Sequence, residues 1–169
     1  IEGSSLTLKD VTLILGENIV PKDKDLREVY ETRNTREVVS LLFNNKIKVN
    51  IKEIIKIHAL LVKDTGVSTG FKKLPNYIVM RDLKTTPPEK IEQEMSDLIS
   101  WYEKNKKKLH PLRLATEFHA RFEKIHPFED GNGRTGRIFL NAMLLESGYP
   151  PLIIRKTAKV AYFSSLEAY

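Results

Sequence analysis

The sequence has no cysteine, so neither a disulfide framework nor a thiolate metal site can hold it together, and a reducing compartment, the cytoplasm, is the expected setting. It has no apolar run near the roughly 20 residues needed to span a bilayer, and its opening residues lack the pattern of a signal peptide. No membrane partner is expected. Aromatic residues make up only 8%, and the one dense basic run, Lys104 to Lys108, has none among its lysines. That run reads as a solvated helix end, and a formal charge of +6 does not by itself make a nucleic-acid surface. Nucleic acid is not expected either. Repeats, low-complexity tracts and linker-like shifts are also missing, which leaves one domain over 1–169. The chain opens at Ile1 and closes at Tyr169 within a helical pattern, so both ends are expected to be cut.

What is present is helical periodicity. Thr7 is placed to cap a helix holding Leu8, Val11, Leu13, Ile14 and Leu15 that Gly16 ends. Leu26, Val29, Val38 and Leu42 mark a longer helix over Asp25 to Phe43, and Asn50 caps an apolar one from Ile51 to Val62, closed by Gly66. Pro87 and Pro88 open a helix whose inner stripe is Ile91, Met95, Leu98, Ile99 and Tyr102. Another, from near Pro111 to Ile125, is expected to bury Leu112, Ala115, Phe118, Phe122 and Ile125. It stops at His126 because Pro127 disfavours helical geometry in the residue before it. Helices over Arg134 to Ser147, with Gly148 as the stop, and near Ala158 complete the set. Residues 71–82 differ: Tyr77, Ile78 and Val79 are strand formers interrupted by Pro75 and Asn76, which predicts a short β-hairpin flap over about 70–82. The expected fold is mainly α, one helical domain with that flap.

Chemistry concentrates between two helices, in His126-Pro127-Phe128-Glu129-Asp130-Gly131-Asn132-Gly133-Arg134-Thr135-Gly136-Arg137. Gly131, Gly133 and Gly136 spell the dinucleotide-binding glycine pattern, but a helix and not a strand comes first. A calcium loop starting at Asp130 would want glycine at Thr135 and glutamate at Asn141, and has neither. A bare turn would not need two arginines that oppose the dipole of the helix they start. A phosphate cradle accounts for all of it. Gly131 and Gly133 let consecutive N–H groups point into one concavity, the helix N-terminus favours anions, and Arg134 and Arg137 stand one turn apart to grip separate phosphates. Asp130 offers a hard oxygen suited to Mg²⁺, Phe128 an apolar peg, and His126 a base that titrates near neutrality. His58, His110 and His119 read as structural.

His126-x-Phe128-x-Asp130-Gly131-Asn132-Gly133-Arg134-x-x-Arg137 resembles the complete Fic signature, H-x-F-x-[DE]-G-N-G-R-x-x-R, and Gly70-Phe71, Pro87-Pro88 and Gly148-Tyr149-Pro150-Pro151 extend the likeness over most of the chain. The resemblance implies an adenylyltransferase that moves AMP from ATP, with Mg²⁺, to Ser, Thr or Tyr hydroxyls of proteins, the chain itself included. His126 would be the base and Asp130 the metal ligand. Asn132, the backbone around Gly131 and Gly133, and Arg134 would stabilise the transferring group, while Arg137 would bind the γ-phosphate and Tyr162 line the adenine side. Lys72, where many relatives have arginine, would join Leu74, Tyr77 and Ile78 in an edge that clamps the target segment. Glu2-Gly3 resembles the end of the family's inhibitory helix, an inhibitory segment over about 1–7 in which Glu2 would pair with Arg137 as a brake. A homodimer is the expected assembly. Removal of AMP by the same site and a nucleotide-binding module without turnover stay open as alternatives.

Overall fold

The structure, a computed structural model, describes residues 4–76 and 85–168. Helix α1, Leu8–Thr12, opens on a capping box: the Thr7 hydroxyl accepts the Asp10 amide at 3.2 Å while the Asp10 carboxylate accepts the Thr7 amide at 2.8 Å. Gly16 does not end this segment. The backbone widens into a π-turn over Leu13–Glu17, and Asn18, left-handed at φ 58°, terminates it, since asparagine tolerates that conformation better than most side chains. Helix α2, Leu26–Phe43, starts where the Asp25 carboxylate accepts the Arg27 amide at 2.8 Å. Helix α3, Ile51–Leu61, starts where Asn50 accepts the Glu53 amide at the same distance, 2.8 Å.

A 3-10 turn at Pro88–Lys90 leads into α4, Ile91–Asn105, followed by α5, Pro111–Ile125, and α6, Asn132–Glu146. A second 3-10 turn, Lys156–Ala158, leads into α7, Lys159–Glu167. The pair α5 and α6 is the centre of the molecule: α4 packs on α5, and α2 and α3 lean on α6. Phe118 and Phe122 from α5, Phe139 from α6 and Phe128 from the loop joining them are completely buried, with Ile54 and Ile57 of α3 and Met95 of α4 among the residues around them. Burial of this kind removes apolar surface from water at about 25 cal/mol per Å² and fixes where the connecting loop must lie.

The periodicity locates α4 and α5 closely, with one slip of face. Leu112 is 44% exposed and Leu114 is buried in its place. Six residues before Phe118, a side chain falls on the far side of an α-helix, whereas four residues before it falls on the same face. Helix α6 begins two residues ahead of the expected Arg134, because Gly131, at φ 78°, makes the turn and frees Asn132 to be helical. Its end is as expected. Gly148, at φ 80°, returns its amide and that of Tyr149 to the carbonyls of Leu145 and Leu144 at 3.0 and 2.9 Å.

Among the described residues there is no strand. Residues 70–76 are irregular, and the rest of the hairpin expected over about 70–82, with its strand formers Tyr77, Ile78 and Val79, lies outside the described residues. Within the described residues no helix is long and apolar enough to cross a membrane.

Phe118→Ala should lower unfolding free energy by about 3–5 kcal/mol, as for other buried aromatics, while Leu112→Ala should stay within about 1 kcal/mol of wild type. Denaturant titration of both variants measures this, and comparable losses would show that the face assigned to α5 is wrong.

Candidate active site

The loop from α5 to α6 is built around one buried ring. Phe128 stacks on His58 of α3 with centroids 3.7 Å apart and planes within 6°, and sits against Phe71 and Phe122 at 5.8 and 6.3 Å. Asn132, 2% exposed, then grips the Phe128 backbone at both ends: its Oδ1 accepts the Phe128 amide and its Nδ2 donates to the Phe128 carbonyl, each at 2.8 Å. His58 Nε2 donates to the Asp130 carbonyl at 2.9 Å, and burial pulls the His58 pKa below its ordinary value, which disfavours the charged ring. Gly131 lies over the same ring. A Cβ there would come within 3.1 Å of Val62 Cγ1 and 3.5 Å of His58 Cδ2, and φ 78° would strain any other residue. The loop is therefore fixed from below before any ligand arrives.

His126 ends α5 in the left-handed region at φ 52°, its amide held by the Phe122 carbonyl at 2.9 Å. For a residue with a Cβ that conformation costs roughly 1–2 kcal/mol, and the anchored Phe128 two positions on is what imposes it. The ring's Nδ1 faces the Glu123 carbonyl at 3.3 Å, which selects the tautomer with the proton on Nδ1 and makes Nε2 the basic nitrogen. The Glu123 carboxylate reinforces this, with one oxygen 3.9 Å from His126 Nδ1 and the other 4.0 Å from His119 Nδ1. His119 Nε2 in turn lies 2.8 Å from the Tyr162 hydroxyl. Burial, with the Arg137 charge nearby, pushes the His119 pKa down to about 4. Gly136 of α6 gives this row its room, since a Cβ there would stand 2.8 Å from both the Glu123 carboxylate and His119 Nδ1.

On the other flank, helix α2 reaches the loop. Arg27 Nη2 is in contact with Asp130 Oδ2, Arg27 Nε pairs with Glu31 at 3.1 Å, and Glu31 also holds Arg134 Nη1 at 3.2 Å. Arg134 Nη2 lies 3.6 Å from the same Asp130 oxygen, whose partner oxygen accepts the Gly131 amide at 2.5 Å. Helix α6 has no acid in its first turn, and the acids that balance Arg134 come from Asp130 and, through Glu31, from α2.

His126, Asp130, Gly131, Asn132, Gly133, Arg134 and Arg137 therefore fall on one loop and one helix start. Tyr162 stands behind them against His119, and Lys72 is buried beneath the loop while Leu74 is 76% exposed. Tyr77, Ile78 and Glu2 lie outside the described residues. The sequence reading missed Glu123, Arg27 and Glu31. Glu123, three residues before His126, was visible as a helical neighbour; the other two lie about a hundred residues from the loop and leave no local signal.

Comparison with known proteins bears on the family and the fold. The family model of the Fic/DOC family matches residues 48–144. The chain is similar to Protein adenylyltransferase Fic of Nematostella vectensis, 30% identical over 98% of this chain and 40% of that protein, and to Protein adenylyltransferase fic-1 of Caenorhabditis elegans, 26% identical over 98% of this chain and 34% of that protein. It thus spans well under half the length of these curated relatives. A crystal structure of a Fic domain containing signaling protein from Bacteroides thetaiotaomicron superposes with a TM-score of 0.88 at 26% identity, covering 98% of this chain and 66% of that one.

The His119 environment makes a prediction about acid. A histidine whose folded pKa is about 4 against an ordinary 6.5 takes up its proton in the unfolded chain first, so its contribution to stability is complete above pH 6.5 and is lost as pH falls from 6.5 toward 4. The slope is about 1.4 kcal/mol per pH unit inside that window. The stability difference between wild type and His119→Gln should therefore shift across it in the direction of relatively weaker wild type at low pH. A difference that stays constant from pH 7 to pH 4.5 would refute a neutral, buried His119.

Proposed function

The chain belongs to the Fic/DOC family, and from that premise we propose that it is a protein adenylyltransferase. A side-chain hydroxyl of a protein attacks the α-phosphorus of ATP, a P–O bond forms as the bond to pyrophosphate breaks, and the hydroxyl proton passes to His126. The relatives named protein adenylyltransferase, similar over 98% of this chain, support the reading. The observation that carries it is the arrangement on one loop and the helix it starts: a histidine whose Nδ1 faces the Glu123 carbonyl, a left-handed Gly131 at the N-terminus of α6, Arg134 on the first turn of that helix and Arg137 three residues further on.

In this reading Nε2 of His126 takes the proton, a positioned base being worth about 10² to 10⁴ in rate. The amides at the start of α6 and the guanidinium of Arg134 receive charge on the transferring group, exchanging Glu31 and Asp130 for phosphate oxygens. Arg137 takes the γ-phosphate. Asn132 acts chiefly by holding the loop, since both polar ends of its side chain are committed to Phe128. Tyr162 borders the adenine side through its place beside His119. Asp130 suits Mg²⁺: among the described residues no group of three ligating side chains converges, and magnesium typically needs only one or two carboxylates when phosphates supply the rest. Bound there, the ion would neutralise phosphate charge.

Target selection in this reading falls to the edge formed by residues 70–82, and regulation to Glu2, which enters from the sequence alone as a brake on Arg137. Incubation with Mg²⁺ and ATP labelled in its adenine should place AMP on protein, with labelling at least about 100-fold slower in His126→Ala and faster in Glu2→Gly. Undiminished labelling in His126→Ala would remove the base, and an unchanged rate in Glu2→Gly would remove the brake. Release of AMP from a modified protein that depends on Glu2 would identify the reverse task, and ATP binding without either reaction would identify a regulatory module.

A further inference from the structure

Lys72 is only 6% exposed, and its ammonium meets neutral oxygens: Asn76 Oδ1 at 2.6 Å and Thr85 Oγ1 at 2.8 Å. Burial without a carboxylate beside those oxygens pulls its pKa from 10.5 down to about 8. A buried charge so poorly compensated costs stability, and a methionine of similar length would fill the same space without that cost. The position therefore calls for a role other than packing.

The hydrogen bonds around it form a closed circuit. The Thr85 hydroxyl, which accepts from Lys72, donates to the Asn76 carbonyl at 2.8 Å. The Asn76 amide, its oxygen taken by Lys72, donates to the Phe128 carbonyl at 2.9 Å and is 3.4 Å from the Glu129 carbonyl. The Lys72 backbone amide donates to the Pro127 carbonyl at 2.9 Å. Three successive carbonyls of the signature loop are thus met by residues 72 and 76, and Asn76 and Thr85 flank the segment 77–84. The Phe128 carbonyl is also the one that Asn132 grips.

We infer that Lys72 is a positioning residue: its ammonium ties Asn76 to Thr85, and through Asn76 ties both residues to the loop that holds His126. The inference rests on the adenylyltransferase reading, in which target selection falls to the edge over residues 70–82. The Lys72 ammonium is taken up by Asn76 and Thr85. Its contribution is to keep the place where the hydroxyl arrives in register with the place where the α-phosphorus sits, and near-attack geometry is sensitive to shifts of about 1 Å.

The test uses the whole chain and two readouts. Hydrogen exchange is followed at the amides of residues 70–76, and AMP transfer from ATP to a serine- and threonine-rich synthetic peptide is measured against both peptide and ATP concentration. Lys72→Met should speed exchange at the Lys72 amide by about tenfold or more, the loss expected from one broken buried hydrogen-bond centre. It should raise the KM for peptide or lower kcat while leaving the KM for ATP near wild type, and Lys72→Arg should restore both. Thr85→Val, a change at a half-buried side chain, should move both readouts the same way to a smaller degree, which covers the case of a Lys72→Met chain that does not fold. Wild-type exchange and peptide kinetics in the folded variants would overturn the inference while leaving the proposed function standing. Absence of transfer by the wild type itself would bring down the proposed function, and this inference with it.

Discussion

The Asn132 side chain accepts the Phe128 amide and donates to the Phe128 carbonyl, both at 2.8 Å and both out of contact with water. Hydrogen bonds in that setting are strong because breaking either leaves a buried group unsatisfied, at about 1–3 kcal/mol each. This pincer, with the Phe128 ring stacked on His58, sets the path of every residue between α5 and α6. The left-handed His126, the left-handed Gly131 and the aim of the first turn of α6 follow from it. A polar loop of this kind would otherwise sample many conformations; here its shape is set by two stacked buried rings and one side-chain amide. Local strain at His126 is the consequence, and it is tolerated because the surroundings over-determine it.

Electrostatics add a second layer. Two arginines at a helix N-terminus are unfavourable by themselves, and α2 compensates with Glu31 while Asp130 of the loop lies between Arg27 and Arg134. These pairs are partly exposed, so each stabilises the fold only modestly and can be exchanged for a phosphate at little cost. On the inner side the opposite holds. Burial lowers the pKa of both His58 and His119, which disfavours further positive charge behind the arginines.

The loop that forms the candidate site was legible in the sequence because it is local. Gly131, Arg134 and Arg137 lie within seven consecutive residues, and Pro127 after His126 announces where α5 must stop. Caps were legible for the same reason, as Thr7 and Asn50 show. What stayed hidden depends on tertiary placement. Asn132 reads as a ligand group by type, yet its side chain turns inward, which only the burial of Phe128 dictates. Lys72 reads as part of an edge that clamps the target, and its burial shows only when residues 76 and 85 are brought around it. Arg27 reaches Asp130 across 103 residues of chain, a separation that no periodicity encodes. Leu112 and Leu114 differ by a rotation of the helix that an apolar count alone does not resolve.

The central claim is that a preformed loop, held from beneath by Asn132, is what binds the nucleotide. Calorimetric titration of ATP with Mg²⁺ into wild type and Asn132→Ala, with helical content checked in both, addresses it directly. The account predicts a loss of affinity of about tenfold or more in a variant that keeps its helices, because the cradle must then be ordered by the ligand itself. An affinity equal to that of the wild type would contradict it.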